Sequence, residues 1–197
     1  MTPLPYAYPY AIVFWAIFAW AYWPEFHVIR KAGRPATRRG SPDAGSLHVI
    51  MFGTWAAYIL AVPLGTVRAF RFPASLALSA FVVGLALLVA GSLLRRHCFR
   101  MLGESFTGDV RTRPDQRIVT DGAYRILRHP AYTAGIVMHT AFGIALGSWG
   151  SALVLAVAAF ATYRYRIAVE ERALAATLGE PYRQFMQGRK RLIPYIY

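Results

Sequence analysis

The stretch VLAVAAFATYRYRIAVEER (154–172) is apolar for most of its length and then presents Arg164, Arg166, Glu170 and Glu171 close together. On a helix, Arg166 and Glu170 stand four residues apart and share a face. Three roles fit such a pair. The two groups can bond to each other at a membrane edge, which contributes roughly a few tenths of a kcal/mol where solvent reaches them. The arginines can snorkel toward lipid headgroups. Or a cation and an anion can hold two different ligands against one another. A second constellation is GAYRILRHPAYTAG (122–135), where Arg125, Arg128 and His129 come immediately before Pro130 and another apolar run. Proline in a first helical turn loses no hydrogen bond, so a plain helix start with basic flanks accounts for it. In the functional alternative, the unpaired N–H groups of that turn and His129 face an anion, which a helix N-terminus favours.

Ionisable groups at a bilayer boundary are costly unless something pairs or uses them. Tyr124 and Tyr132 flank His129, and a glycine-containing loop leads into it. An adenosine cofactor needs aromatic or apolar walls for its base, donors for its carboxylate and an acceptor for its ammonium. This stretch together with Glu170 supplies each of these.

The elements that must position these residues are membrane helices. The chain has 197 residues, 56% of them hydrophobic, with a mean hydropathy of +0.36, which points to one domain too apolar for ordinary solubility. A net charge of +13 raises nucleic acid as a partner, and the distribution of the charge argues against it. The basic residues alternate between the two sides of the hydrophobic segments and form no stripe on a soluble surface. Twenty of the 22 basic residues are arginine, so no single surface Arg is given weight alone. One cysteine, Cys98, excludes an internal disulfide and leaves no Cys/His spacing for zinc, and no metal is expected.

Five segments approach the roughly 17–25 apolar residues of a span: 8–28, 47–64, 73–94, 130–146, and one from 152 into YRYRIAVEER. The last two, joined by GSWGS, are expected to form a tight hairpin. The N-terminal MTPLPYAYPYAIVFW has no basic region before its apolar stretch, so it reads as a retained first span and not as a signal peptide. Arg30, Lys31, Arg34, Arg38 and Arg39, the segment 95–129 and the C-terminal tail fall on one side, with Arg68 and Arg71 on the other. Lysine and arginine are retained on the cytoplasmic side, which predicts the N-terminus out and the C-terminus in. Segment 95–129 reads as a structured cytoplasmic loop with a short β-like run at RIVT. The tail reads as a helix that breaks near Gly179 and Pro181 and resumes with Tyr182, Phe185 and Met186 on one side, leaving Arg189, Lys190 and Arg191 near lipid headgroups. The fold class expected is an all-α integral membrane protein of about five transmembrane helices with a cytoplasmic cofactor-binding loop and a C-terminal helix. It forms a single domain over 1–197, with variable spans in 1–72 and a core over 93–195.

The order LGESFT, GAYRILRHPAYTAG, YRIAVEERALAATLGEPYRQF and RLIP resembles the isoprenylcysteine carboxyl methyltransferase family, integral membrane enzymes that use S-adenosylmethionine. The likeness covers about 93–195, and RHPxY followed by R-x3-EE and G-x2-Y is specific as a set. The resemblance implies that the loop before the fourth span and the inner end of the fifth close over the cofactor. On this chain the cofactor contacts would be Gln116, Arg117, Ile118 and Val119, then Tyr124, then His129, Pro130, Ala131 and Tyr132. Glu170 would complete them, and Arg111 is a further contact. Arg166 and Glu170 would be the catalytic pair, with Arg166 holding the substrate. Where the family commonly has a proline after the glycine of its GPY element, this chain has Ala123, which removes no functional group.

The implied reaction moves a methyl group to a carboxylate of a lipophilic, isoprenoid or isoprenylcysteine-like acceptor reaching the site from the bilayer, in the cytoplasmic membrane of a bacterium. Three other readings differ chemically. Methylation of a lipid amine needs a deprotonated nitrogen, for which Arg166 is a poor neighbour. Reduction of an isoprenoid or lipid double bond with NADPH calls for a second phosphate-binding basic cluster. A transporter or assembly factor calls for polar groups deep in the spans, where His139 is the one ionisable residue and fits core packing.

Overall fold

The structure, a computed structural model, describes residues 2–31, 43–103, 110, 112 and 115–197, with side chains in the first helix described as far as Glu25. Among these residues there are five long helices and one short one: α1 (Tyr10–Lys31), α2 (Ser46–Leu64), α3 (Ala77–Leu102), α4 (Pro130–Ala145), α5 (Trp149–Leu178) and α6 (Glu180–Gln187). Each of the five apolar segments of the sequence became one of the long helices. The molecule is an all-α integral membrane protein. By length and composition, Ser46–Leu64, Ala74–Leu102 and Trp149–Leu178 can each cross a bilayer. α4 has 16 residues, about 24 Å of rise against a hydrocarbon core of about 30 Å. It is the most enclosed of the helices, lying between α3 and α5, with Ala134, Gly135, Met138, Ala141, Phe142 and Ala145 all buried.

Small residues let these helices approach, as expected where lipid gives no hydrophobic push between them. A Cβ placed on Gly84 of α3 would stand 2.5 Å from the Ala145 nitrogen, and one on Gly91 would stand 2.7 Å from Met138 Cγ. α2 packs along α5, and α1 along α3. Phe14 of α1, Tyr58 of α2 and Phe142 of α4 close the centre as an aromatic cluster, with Phe14–Phe142 and Tyr58–Phe142 ring centroids 5.4 and 4.9 Å apart.

The α4–α5 hairpin turns through Gly147 at φ 74°, and Ser148 caps α5 by accepting from the Ser151 N–H. At the same end, Phe72 N–H donates to the Gly147 carbonyl at 2.9 Å, and Ser148 Oγ donates to Phe70 O at 2.8 Å. The α2–α3 connection carrying Arg68 and Arg71 therefore lies beside that turn, opposite the candidate site.

Three expectations need correction. RIVT (117–120) forms no strand; among the described residues the only β pairings are the isolated bridges Arg71–Ser148 and Leu127–Lys190. α3 continues past 94 to Leu102, so Arg95, Arg96, His97 and Arg100 are helical and not part of a loop. Its charged end is anchored internally: Arg95 pairs with Glu25 of α1 and donates to the Ala131 carbonyl of α4. The tail is also more than an interfacial segment. Arg128 and His129 N–H groups donate to the Lys190 and Arg191 carbonyls at 2.8 and 3.0 Å, and Thr133 Oγ1 donates to Leu192 O at 2.7 Å. Residues 189–192 thus form a strap along the start of α4, with the Leu192 side chain buried.

Candidate active site

At the end of the molecule away from the α4–α5 turn, the helices part around a solvent-open cleft. Its walls come from every element that converges there. α3 gives Arg95 and Leu102; the chain entering α4 gives Val110, Thr112 and Gln116 through Val119, then Tyr124 and Arg128. α4 gives His129, Ala131 and Tyr132 from its first turn. α5 contributes Glu170, Leu174 and Leu178, spaced by four residues along one helical stripe, and α6 adds Tyr182 and Phe185.

Nine of the sequence-expected contacts therefore meet in one place: Gln116, Arg117, Ile118, Val119, Tyr124, His129, Ala131, Tyr132 and Glu170. Pro130 is buried in the first turn and starts the helix without lining the cleft. Arg111 lies outside the described residues. Arg166 does not line the cleft either; it sits one turn below Glu170 and is only 4% exposed.

Arg166 and Glu170 do not pair directly. The Tyr132 hydroxyl stands between them, donating to Glu170 Oε2 at 2.7 Å and accepting from Arg166 Nε at 3.3 Å. Arg166 Nη1 pairs with Asp43 Oδ1 and donates to Ser46 Oγ at 2.7 Å. Asp43 is itself held by the Val110 N–H at 3.0 Å, the Leu47 N–H at 3.2 Å and Ser46 Oγ at 3.0 Å. Burial alone would raise its pKa. The N–H groups of Val110 and Leu47, the Arg166 charge and the Ser46 hydroxyl outweigh that and hold the carboxyl below the usual aspartate value. Burial also pushes the Tyr124 and Tyr182 phenols well up, which keeps them neutral walls.

His129 finds its anion within the protein. Its Nε2 lies 3.2 Å from Glu171 Oε1, and Arg191 holds Glu171 Oε2 with Nε at 3.0 Å and Nη2 at 2.7 Å. Arg128 Nε is 3.3 Å from Oε1, outside hydrogen-bond geometry. The backbone donors of the first turn are partly used as well, since the Tyr132 and Thr133 N–H groups return to the His129 carbonyl at 3.0 and 3.3 Å.

Sequence reasoning missed Asp43, Ser46 and Glu25, and gave Glu171 no role. Nothing near Asp43 or Glu25 in the sequence marks them, because their partners lie 123 and 70 positions away. Tyr182 and Phe185 were legible as one face of a short helix, though not as a cleft wall.

Fold and site together define an α-helical membrane protein with a solvent-open cleft, combining aromatic walls with a carboxylate and a guanidinium. Residues 83–176 match the model of the isoprenylcysteine carboxyl methyltransferase (ICMT) family. The chain is 29% identical over 115 residues to the Arabidopsis thaliana protein-S-isoprenylcysteine O-methyltransferase B, covering 57% of this chain and 58% of that one. It is 29% identical over 136 residues to the Schizosaccharomyces pombe protein-S-isoprenylcysteine O-methyltransferase, covering 66% and 58%. The solved eukaryotic intramembrane Ras methyltransferase ICMT, without a monobody, shares the fold at a TM-score of 0.63 and 22% identity, over 91% of this chain and 64% of that one. The chain therefore spans under two thirds of the length of these relatives.

Proposed function

We propose that the protein is an S-adenosylmethionine-dependent carboxyl O-methyltransferase acting on a lipophilic acceptor of isoprenoid or isoprenylcysteine type. The carrying observation is the placement of Glu170 in the cleft wall one helical turn from Arg166, with Tyr132 bonded to both.

The cleft suits the cofactor chemically. Tyr124, Tyr182, Phe185, Ile118 and Val119 offer apolar and aromatic surface for an adenine ring, and Glu170 offers an acceptor for an ammonium. Arg128, whose Nε faces Glu171 Oε1 at 3.3 Å, lines the same cleft and brings a positive charge to it that suits a carboxylate. When bound, S-adenosylmethionine supplies an electrophilic methyl group.

The chain's own residues then have a positioning task. An acceptor carboxylate is ionised at neutral pH, so no general base is required. Arg166 orients it, and Tyr132 holds the guanidinium in register with the cofactor side of the site. The buried surroundings of Arg166 exclude water, and a dry site favours a reaction in which opposite charges are neutralised. The cofactor side opens to solvent, while the acceptor's apolar part stays among the spans. We place that open side in the cytosol, with the N-terminus out and the C-terminus in.

The test is calorimetry of the detergent-purified protein with S-adenosylhomocysteine and with NADPH, followed by labelled methyl transfer to an N-acyl-S-prenylcysteine and to a free isoprenoid acid. Binding of the former nucleoside and labelling of a carboxylate support the reading. NADPH binding alone, or labelling only of lipid amines, overturns it.

A further inference from the structure

We propose that Asp43 is a positioning residue for this reaction: paired with the buried Arg166, it lowers the hold of that guanidinium on the acceptor carboxylate and so keeps the carboxylate reactive. The inference rests on the carboxyl-transfer reading above. Asp43 lies just before α2, outside the region of family likeness, so nothing in that likeness assigns it a task.

The geometry shows one carboxylate with two jobs. Oδ2 accepts the Leu47 N–H, and Oδ1 accepts the Val110 N–H, tying the start of α2 to the chain that walls the cleft. That part is structural. Oδ1 also meets Arg166 Nη1, and Ser46 Oγ bridges the two, accepting from Arg166 and donating to Asp43. On its other side Arg166 is fixed by the Tyr132 hydroxyl. The guanidinium is therefore held on two sides, with Asp43 balancing its charge.

The balance matters because of the sign of the charge change. A carboxylate attacking a sulfonium-bound methyl loses negative charge on the way to the transition state. Any cation near it therefore stabilises the ground state more than the transition state, and an unopposed Arg would raise the barrier by binding too well. Asp43 opposes it without moving it. Removing the charge of Asp43 while keeping an acceptor oxygen should tighten acceptor binding and slow the chemical step together.

The experiment uses the full chain in detergent or liposomes. Asp43→Asn and Asp43→Ser are compared with the wild type for S-adenosylhomocysteine affinity, acceptor KM and kcat. The expected result is unchanged nucleoside affinity, an acceptor KM lowered several-fold and a kcat lowered about tenfold, leaving kcat/KM nearly level. A residue that merely holds the fold would not lower KM. An acceptor KM that rises or stays put, or an unchanged kcat, overturns the proposal. Loss of nucleoside binding in both neutral variants overturns it too, because Asp43 then serves only the cleft wall and the start of α2. A wild-type protein that binds the nucleoside but methylates no carboxylate defeats the proposed function first, and this inference with it.

Discussion

Glu171 Oε2 sits between the Nε and Nη2 of Arg191, at 3.0 and 2.7 Å, and this two-point contact fixes the C-terminal strap to α5. Its other oxygen, Oε1, takes the His129 ring nitrogen. One buried carboxylate thus joins α5, the first residues of α4 and the tail. Its neighbour Glu170 faces the cleft. Adjacent residues on one helix serve opposite purposes because they point about 100° apart.

Glu171→Ala leaves His129 and Arg191 without their anion. Removing one partner of a buried ion pair costs about 3 kcal/mol. Arg191→Ala should cost less, since that side chain is partly exposed. Thermal unfolding in one detergent, read for both variants, should rank Glu171→Ala well below Arg191→Ala and the wild type. Equal midpoints for all three would show that the strap adds no stability.

Glu170→Ala should weaken S-adenosylhomocysteine binding by about tenfold or more, as expected when the acceptor for a charged ammonium is removed. Thermal stability should change far less than in Glu171→Ala, because Glu170 is bonded to the Tyr132 hydroxyl and not to the strap. Undiminished affinity in titration calorimetry would remove Glu170 from the site.

Tyr132→Phe removes a hydroxyl that touches both Glu170 and Arg166 while keeping the ring that packs 4.9 Å from Tyr163. Turnover should fall by about tenfold from lost orientation, with nucleoside affinity falling only a few-fold. Steady-state kinetics alongside calorimetry separate the two effects. Affinity and turnover falling by the same large factor would mean that the hydroxyl acts through the cofactor alone.

What the sequence disclosed and what it concealed follow from distance along the chain. The five long helices were legible because a span is a run of apolar residues, and the cleft because RHPAY and EE sit on two short contiguous stretches. The end of α3 was hidden because RRHCFRML looks like loop to a hydropathy scale, whereas Arg95 there is neutralised by Glu25 on another helix. Asp43 was hidden for the same reason: its meaning lies in Arg166, more than a hundred residues away. Periodicity placed Glu170 and Arg166 on one face and could not show that a tyrosine from α4 comes between them.

Acid sensitivity should carry the signature of Asp43. Its folded pKa is below the ordinary aspartate value of about 3.9, so folding gains stability from it wherever the unfolded group is also ionised. That contribution is whole above about pH 5, and it is lost as the pH falls through the ordinary value toward the lowered one. Other carboxylates contribute to the same limb, Glu171 among them, so the wild-type curve alone assigns nothing. The informative quantity is the difference between the wild type and Asp43→Asn. Asn cannot ionise, so the stability gap between the two proteins should be largest near neutral pH and narrow as both are taken below pH 4. Urea unfolding in mixed micelles at a series of pH values measures that gap. A gap that stays constant from pH 7 to pH 3 would mean that the carboxylate charge contributes nothing, and that only the shape of the Asp43 side chain matters to the contacts of Val110, Leu47 and Arg166.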